Sequence, residues 1–282
     1  MAIFGKLAYE DGVSTLTLLA VRFSLATVIF AVLLVARPAT ARSLRGAGTR
    51  TLAIGLGLGA IGYATQAGLF FAALQRLDAS LLALVLYTFP AWVMLGSFAI
   101  GRERPTRRRV LALGLSSTGL VILLAGASGG GVDPAGVALG LGAAVTYTVY
   151  ILVADRAGPE ISSLALTTLV CLGAACTLGL VGIASGSLDL ALSADAWLWL
   201  VLIAVVSTAM PIVAFFAGLS RVGPSTAAIL STLEPVVTVA LAYLAFSEVL
   251  SGVQLAGAAL VLGAAVLLAA PARRGSPAPP DY

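Results

Sequence analysis

The chain has 282 residues, is 60% hydrophobic and only 10% charged, and has a mean hydropathy of +1.07. A soluble domain carries roughly 25% charged residues and no single core absorbs this much apolar surface, so the composition excludes a soluble protein and points to an integral membrane protein in a lipid bilayer. The balance of 16 Lys+Arg against 12 Asp+Glu would suit nucleic acid, but the arginines mark topology, and the lack of histidine removes the commonest general base and metal ligand.

A membrane helix needs about 20 mostly apolar residues to cross the hydrocarbon layer, and backbone polar groups in lipid must pair within a helix. In chain order, such runs lie near 14–36, 51–75, 79–101, 107–127, 135–155, 161–184, 194–220, 224–246 and 250–271. Ahead of them, "MAIFGKLAYEDG" has an apolar part covering only about 13 Å at helical rise. The tail 272–282 is polar and proline-rich and is expected to be disordered. No secretory signal opens the chain.

Arginine asymmetry orients the array. Arg37, Arg42, Arg45, Arg50, Arg102, Arg104, Arg107, Arg108, Arg109, Arg156, Arg221, Arg273 and Arg274 fall on one side. The other side keeps Arg76 with Asp78, Asp133, Asp189, Asp195 and Glu248. By the positive-inside rule the arginine side, with the C-terminus, is cytoplasmic. The Ala/Gly/Arg-rich composition suggests a high-GC bacterium, hence a bacterial inner membrane.

The chain also repeats itself. A shift of 145 residues aligns 62–80 with 207–225, matching seven of nineteen positions, among them Phe70 with Phe215, Phe71 with Phe216 and Arg76 with Arg221. The same shift pairs Pro90 with Pro235 and Glu103 with Glu248. Span 79–101 runs inward and its partner 224–246 outward, so the repeat is inverted, an arrangement typical of secondary transporters. Span 135–155 opens the second half. Its counterpart would begin about a dozen residues before Met1, as the shift of 148 between 14–22 and 162–170 places it. The expected fold is therefore an all-α membrane protein, a ten-helix inverted 5+5 repeat with its first helix truncated and nine complete spans. The domains are 1–127, 135–271 and the cytoplasmic tail 272–282.

These residues resemble the EamA-type members of the drug/metabolite transporter superfamily. The likeness rests on 70–126 and 215–268, on the mid-helix proline followed about thirteen residues later by glutamate in both halves, and on "LEP" at 233–235. It implies ten helices around a central cavity, and export or exchange of small metabolites, often amino acids, by alternating access. In that family the first helix is complete and contributes to the cavity, whereas here most of it is missing.

Glu234 is the sole mid-membrane acid and is expected to be protonated, partnered or facing water. It is read either as a substrate-amine contact or proton carrier, or as a packing acid bonded to a neighbouring helix. Ser231 and Thr238 extend a thin polar stripe from it. Pro90, Pro211 and Pro235 interrupt spans and would free the carbonyls of Leu86, Ser207 and Ser231, as expected of kinked helices at a midplane site or of plain kinks. Gln66, Tyr87, Trp92, Thr146, Tyr147 and Tyr150 supply polar and aromatic groups that would line a cavity for a small-molecule substrate, or merely pack. Tyr147 and Tyr150 share a helical face. "GLGLGAIG" at 55–62 lies in an apolar span with no preceding strand; Gly55 and Gly59, like Gly136 and Gly140, are read as close-packing positions rather than phosphate binders. Cys171 and Cys176 fit neither a zinc site nor a disulfide framework. Arg22, roughly 12 Å into its helix, would snorkel outward or pair with a carboxylate.

No metal, cofactor or catalytic residue is expected. An intramembrane enzyme would need clustered bases or ligands, and a scaffold would not need paired prolines in a duplicated chain. Nothing resembles an ATP-binding domain, so transport would draw on a solute or ion gradient.

Overall fold

The computed structural model describes residues 1–101, 106–127, 132–157, 162–211, 214 and 233–269. Ser231, Glu103, Arg221 and the tail 272–282 lie outside the described residues, and for Pro90 and Pro235 only the backbone is described. Every regular element among the described residues is helical.

The elements are α1 (Ala2–Glu10), α2 (Thr15–Val35), α3 (Pro38–Arg45), α4 (Thr49–Leu74), α5 (Ala79–Leu86), α6 (Phe89–Ala99), α7 (Arg107–Ala127), α8 (Pro134–Ala157), α9 (Ser163–Ala184), α10 (Ala194–Ala209), α11 (Leu233–Phe246) and α12 (Gly252–Ala269). Their starts follow from local chemistry. Ser14, Ser162 and Ser193 each accept a hydrogen bond from the backbone N–H three residues on, closing the first turns of α2, α9 and α10. Among the described residues four helices, α2, α4, α8 and α9, are long and apolar enough to cross a membrane by themselves. Their outward faces carry residues such as Val35, Ile61 and Leu180, each more than two-thirds exposed, a surface suited to lipid and poorly suited to water.

Three features depart from the expected spans. The segment 37–50, expected as a loop, contains α3, with Arg42 and Arg45 in its last turn, where cations suit the helix dipole. The span 79–101 is not one kinked helix. It stops at Leu86 and restarts at Phe89, with Pro90 in the first turn of α6, where a missing N–H costs nothing. Thr88 holds the break by donating its hydroxyl to the carbonyl of Val85 at 2.8 Å. Pro235 stands in the first described turn of α11, and the residues before Leu233 lie outside the described residues.

The third departure is a π-helical turn in each of two helices, Leu58–Tyr63 within α4 and Val205–Ala209 within α10. Under the 145-residue register the first falls on 203–208, so the two turns overlap. Single π-turns add a residue to a helical turn and are frequent at functional sites.

Packing follows the same register. The equivalent helices α7 and α12 lie against each other, and so do α2 and α9. α8 packs on α4 and α6, and α1 packs on their equivalents α10 and α11. Small residues permit the closest approaches. A Cβ at Gly59 would collide with the backbone of Val170, and one at Gly119 would stand 2.8 Å from the carbonyl oxygen of Gly257. The inner core is built on Phe23, Phe30, Phe71, Leu18, Leu19 and Leu82, from α2, α4 and α5.

Candidate functional site

Arg22 lies in the third turn of α2 and is only 3% exposed. Its Nε donates to the hydroxyl of Thr208 at 2.9 Å. That hydroxyl in turn donates to the carbonyl of Ile203 at 3.0 Å, a spacing of five residues that belongs to the π-turn of α10. The guanidinium carbon stands 4.9 Å from the ring centroid of Phe23 and 5.7 Å from that of Phe71, within cation–π range. Tyr63, at the end of the π-turn of α4, lies beside it. Tyr63 and Thr208 are equivalent under the 145-residue register, so the two π-turns present matched hydroxyls to one arginine. The expected snorkelling of Arg22 does not occur, and among the described residues no carboxylate forms an ion pair with it.

From this arginine a chain of aromatic rings leads across the molecule. Phe23 meets Tyr63 edge-on at 5.4 Å, and Tyr63 lies 5.4 Å from Tyr150. Tyr150 stacks on Tyr147 at 6.0 Å, as their shared helical face requires. Tyr147 meets Phe89 at 4.9 Å, and Phe89 meets Tyr87 at 5.8 Å. The chain ends where the Tyr87 hydroxyl donates to Oε2 of Glu234 at 2.9 Å. The break between α5 and α6 makes this possible, because it places Tyr87 at a helix end beside α11, which packs on α5. Phe89 is the repeat equivalent of Glu234, so Tyr87 sits between matched positions, one apolar and one acidic.

The expected site residues separate into three groups. Tyr87, Tyr147, Tyr150 and Glu234 are brought together. Gln66 is buried at 7% exposure, one turn beyond Tyr63 on the same face of α4. Thr146 instead returns its hydroxyl to the carbonyl of Gly142 in its own helix at 2.8 Å. Trp92, 37% exposed, makes none of the ring contacts, and Pro211 is exposed at the end of its described stretch. Arg22, Tyr63 and Thr208 are the members that residue-by-residue reading does not assemble; the only sequence signal is a lone arginine deep in an apolar run. A crevice of about 310 Å³ between α2 and α9, lined by Ser24, Thr27, Leu172, Ala175 and Cys176, is open to the surface and holds neither Arg22 nor Glu234.

Comparison with known proteins agrees with this two-part organisation. The profile of the EamA-like transporter family matches twice, over residues 1–125 and 134–270. The chain belongs to the EamA-like transporter family. It is 31% identical over 221 residues to an "Uncharacterized transporter" of Archaeoglobus fulgidus, covering 76% of this chain and 75% of that protein. A solved structure titled "Crystal structure of protein" superimposes with a TM-score of 0.67 at 22% identity, covering 94% of this chain and 92% of its own, and so shares the fold. The protein is thus a multi-pass membrane protein of a transporter family.

In this EamA-family chain the glutamate of the second proline–glutamate pair has a definite structural task. Glu248 follows Ser247, whose φ of 54° turns the backbone sharply at the end of α11. Its carboxylate accepts from the backbone N–H groups of Ala79 and Ser80 at 3.1 and 3.0 Å and from the Ser80 hydroxyl at 2.9 Å, capping the first turn of α5 from the connection between α11 and α12. Lys6 of α1 completes the cluster at 2.6 Å. Burial pushes the Glu248 carboxyl up, but the Lys6 ammonium with the donors of Ser80 and Ala79 outweighs it and holds the group below the ordinary carboxylate range. Nearby, Arg76 pairs with Asp133 at 2.8 Å, which accounts for the one arginine on the acidic side of the chain.

Proposed function

We propose that this EamA-family protein is a secondary-active transporter, an exporter of small metabolites with amino acids first, working by alternating access through a central cavity. The observation that carries this reading is the Tyr87–Glu234 hydrogen bond at the end of an aromatic chain drawn from α2, α4, α8 and α6. Aromatic walls with a few convergent polar groups suit a partly apolar, hydrogen-bonding solute. The interruption before α6, with Pro90 in its first turn, lies beside Tyr87, the partner of the acid, as in transporters whose sites lie at helix interruptions.

The two halves are taken as an inverted 5+5 repeat, in a bacterial inner membrane with the C-terminus cytoplasmic. Matched π-turns and the mutual packing of α7 with α12 and of α2 with α9 support the repeat, and the arginine asymmetry supports the orientation. Cysteines introduced at 102–107 are then shielded from impermeant reagents outside intact cells, and cysteines at 247–251 react. Equal accessibility at both places rules the inversion out.

The deciding experiment is export of a metabolite panel from cells overexpressing the protein, followed by solute flux in proteoliposomes. Saturable flux of one solute class is expected. Its absence across a broad panel overturns the transport reading and favours a membrane-embedded enzyme or a non-transporting scaffold.

A further inference from the structure

We propose that the chain holds one anionic phospholipid on the surface formed by α2, α3 and α9, with its phosphate on Arg42 and Arg45 and one acyl chain in the crevice between α2 and α9. The inference stands on the multi-pass membrane character of the protein and does not depend on what is transported.

The placing of α3 is the first ground. α2 ends at Val35, which is apolar and 77% exposed, and α3 begins at Pro38. The short helix therefore lies where the hydrocarbon layer gives way to headgroups. It packs on both α2 and α9. Leu44 joins a buried cluster with Leu34 of α2 and with Ala165 and Leu169 of α9. The Ser43 hydroxyl accepts from the backbone N–H of Ser162 at 3.2 Å. One side of α3 is thus fastened to the two spans, and its outer side keeps a fixed direction.

The charge on that outer side is the second ground. Arg42 and Arg45, three residues apart, share an exposed face, and Arg37 and Arg50 flank it, also exposed. The stretch 37–50 holds these four arginines and no acid. Among the described residues none of the four forms an ion pair. A topology marker needs only positive charge near the end of a span, and a disordered loop would serve. Arginines fixed on a helix at headgroup depth offer more, because each planar fork matches two phosphate oxygens.

The crevice is the third ground. Ser24 and Thr27, which line it, lie on the face of α2 that carries Leu34. Leu172 and Cys176, which line it from the other side, continue the face of α9 that begins with Ala165 and Leu169. The seam that α3 covers at its end therefore reopens about 10–16 Å deeper at helical rise. One leaflet of hydrocarbon is about 15 Å thick, so an acyl chain hung from a phosphate on α3 reaches that depth. The space of about 310 Å³ is open to the surface, and Thr27 already spends its hydroxyl on the carbonyl of Phe23 at 2.7 Å. Headgroup contacts and chain contacts thus fall on the same two spans at the spacing of one lipid. A soluble anion would use the arginines without the crevice. A lipid with a choline headgroup would bring an ammonium against the arginines.

The test uses the full chain in detergent micelles, with bound lipid weighed by native mass spectrometry. Its probes are palmitoyl-oleoyl phosphatidylglycerol, phosphatidylcholine with the same chains, and glycerol 3-phosphate, which has the phosphate and no chain. Phosphatidylglycerol should bind about tenfold or more tightly than either of the others. Arg42→Gln combined with Arg45→Gln should abolish its preference over phosphatidylcholine, while the remaining arginines keep the charge asymmetry that orients the chain. Cys176→Trp fills the crevice from an exposed position and should weaken phosphatidylglycerol binding by about tenfold with the arginines intact. Equal binding of the two lipids overturns the proposal, and so does glycerol 3-phosphate binding as tightly as phosphatidylglycerol. An undiminished preference in the folded double variant, or undiminished binding in folded Cys176→Trp, overturns it as well. The comparison of the three probes on the unmodified protein decides even where a variant does not fold.

Discussion

Two charged groups of this protein, Glu248 in the connection between α11 and α12 and Arg22 within the bundle, are both largely removed from solvent, and they are treated in opposite ways. Glu248 is saturated: two backbone N–H groups, one hydroxyl and one ammonium converge on its oxygens. Arg22 has the neutral hydroxyls of Thr208 and Tyr63, aromatic faces and no carboxylate partner among the described residues. A buried charge with all its partners in place stabilises a structure and has nothing left for a ligand. A buried charge short of partners weakens the empty protein and gains when a counter-charge arrives. Saturation by partners, rather than burial, is what distinguishes the two groups.

The contrast is sharpest in substitutions. Glu248→Ala leaves Lys6 with only Asp78, at 3.7 Å, and uncaps α5 in one step, so a loss of about 2–4 kcal/mol is expected. Thermal unfolding in detergent should show it directly, and a midpoint near wild type would remove Glu248 from the architecture. Glu234→Gln should do the opposite. The fold survives, because Tyr87 can still donate to the amide oxygen, while flux in proteoliposomes falls by about tenfold or more. Unchanged flux and an unchanged pH profile in well-folded Glu234→Gln would leave that acid a packing residue.

Acid titration sharpens the comparison further. The folded-state pKa of Glu248 lies below its ordinary 4.5. Its contribution to stability is therefore fully present above about pH 4.5 and is lost as pH falls through the folded value. Stability should decline below pH 4.5 in the wild type, and the Glu248→Gln variant, already destabilised, should lack this part of the decline. The smallest effect is expected at Arg76 and Asp133, an exposed pair at 2.8 Å. Arg76→Gln should leave the unfolding midpoint almost unmoved, since exposed ion pairs contribute little and are screened by salt. A large shift there would break the link between saturation in a sheltered place and stability.

Much of the fold was legible in the residues because hydropathy is a local sum. Apart from α3, the helices among the described residues stand where apolar runs occur, and Ser14, Ser162 and Ser193 mark three of their starts. The repeat was legible too, since Pro, Glu, Arg and Phe-Phe are rare enough in this composition to match visibly at a fixed shift. Helix geometry alone put Tyr147 and Tyr150 on one face. Tertiary structure alone decided the partners. Glu248 caps a helix 168 residues earlier in the chain, Tyr87 reaches Glu234 across 147 residues, and Arg22 meets Thr208 across 186. The end of α5 at Leu86 and the π-turns in α4 and α10 were equally hidden, because each exchanges one backbone hydrogen-bond pattern for another at small cost. Apolarity along a segment decides that it forms a helix in lipid; which charge is satisfied depends on which helices pack together, and no local window of sequence contains that information.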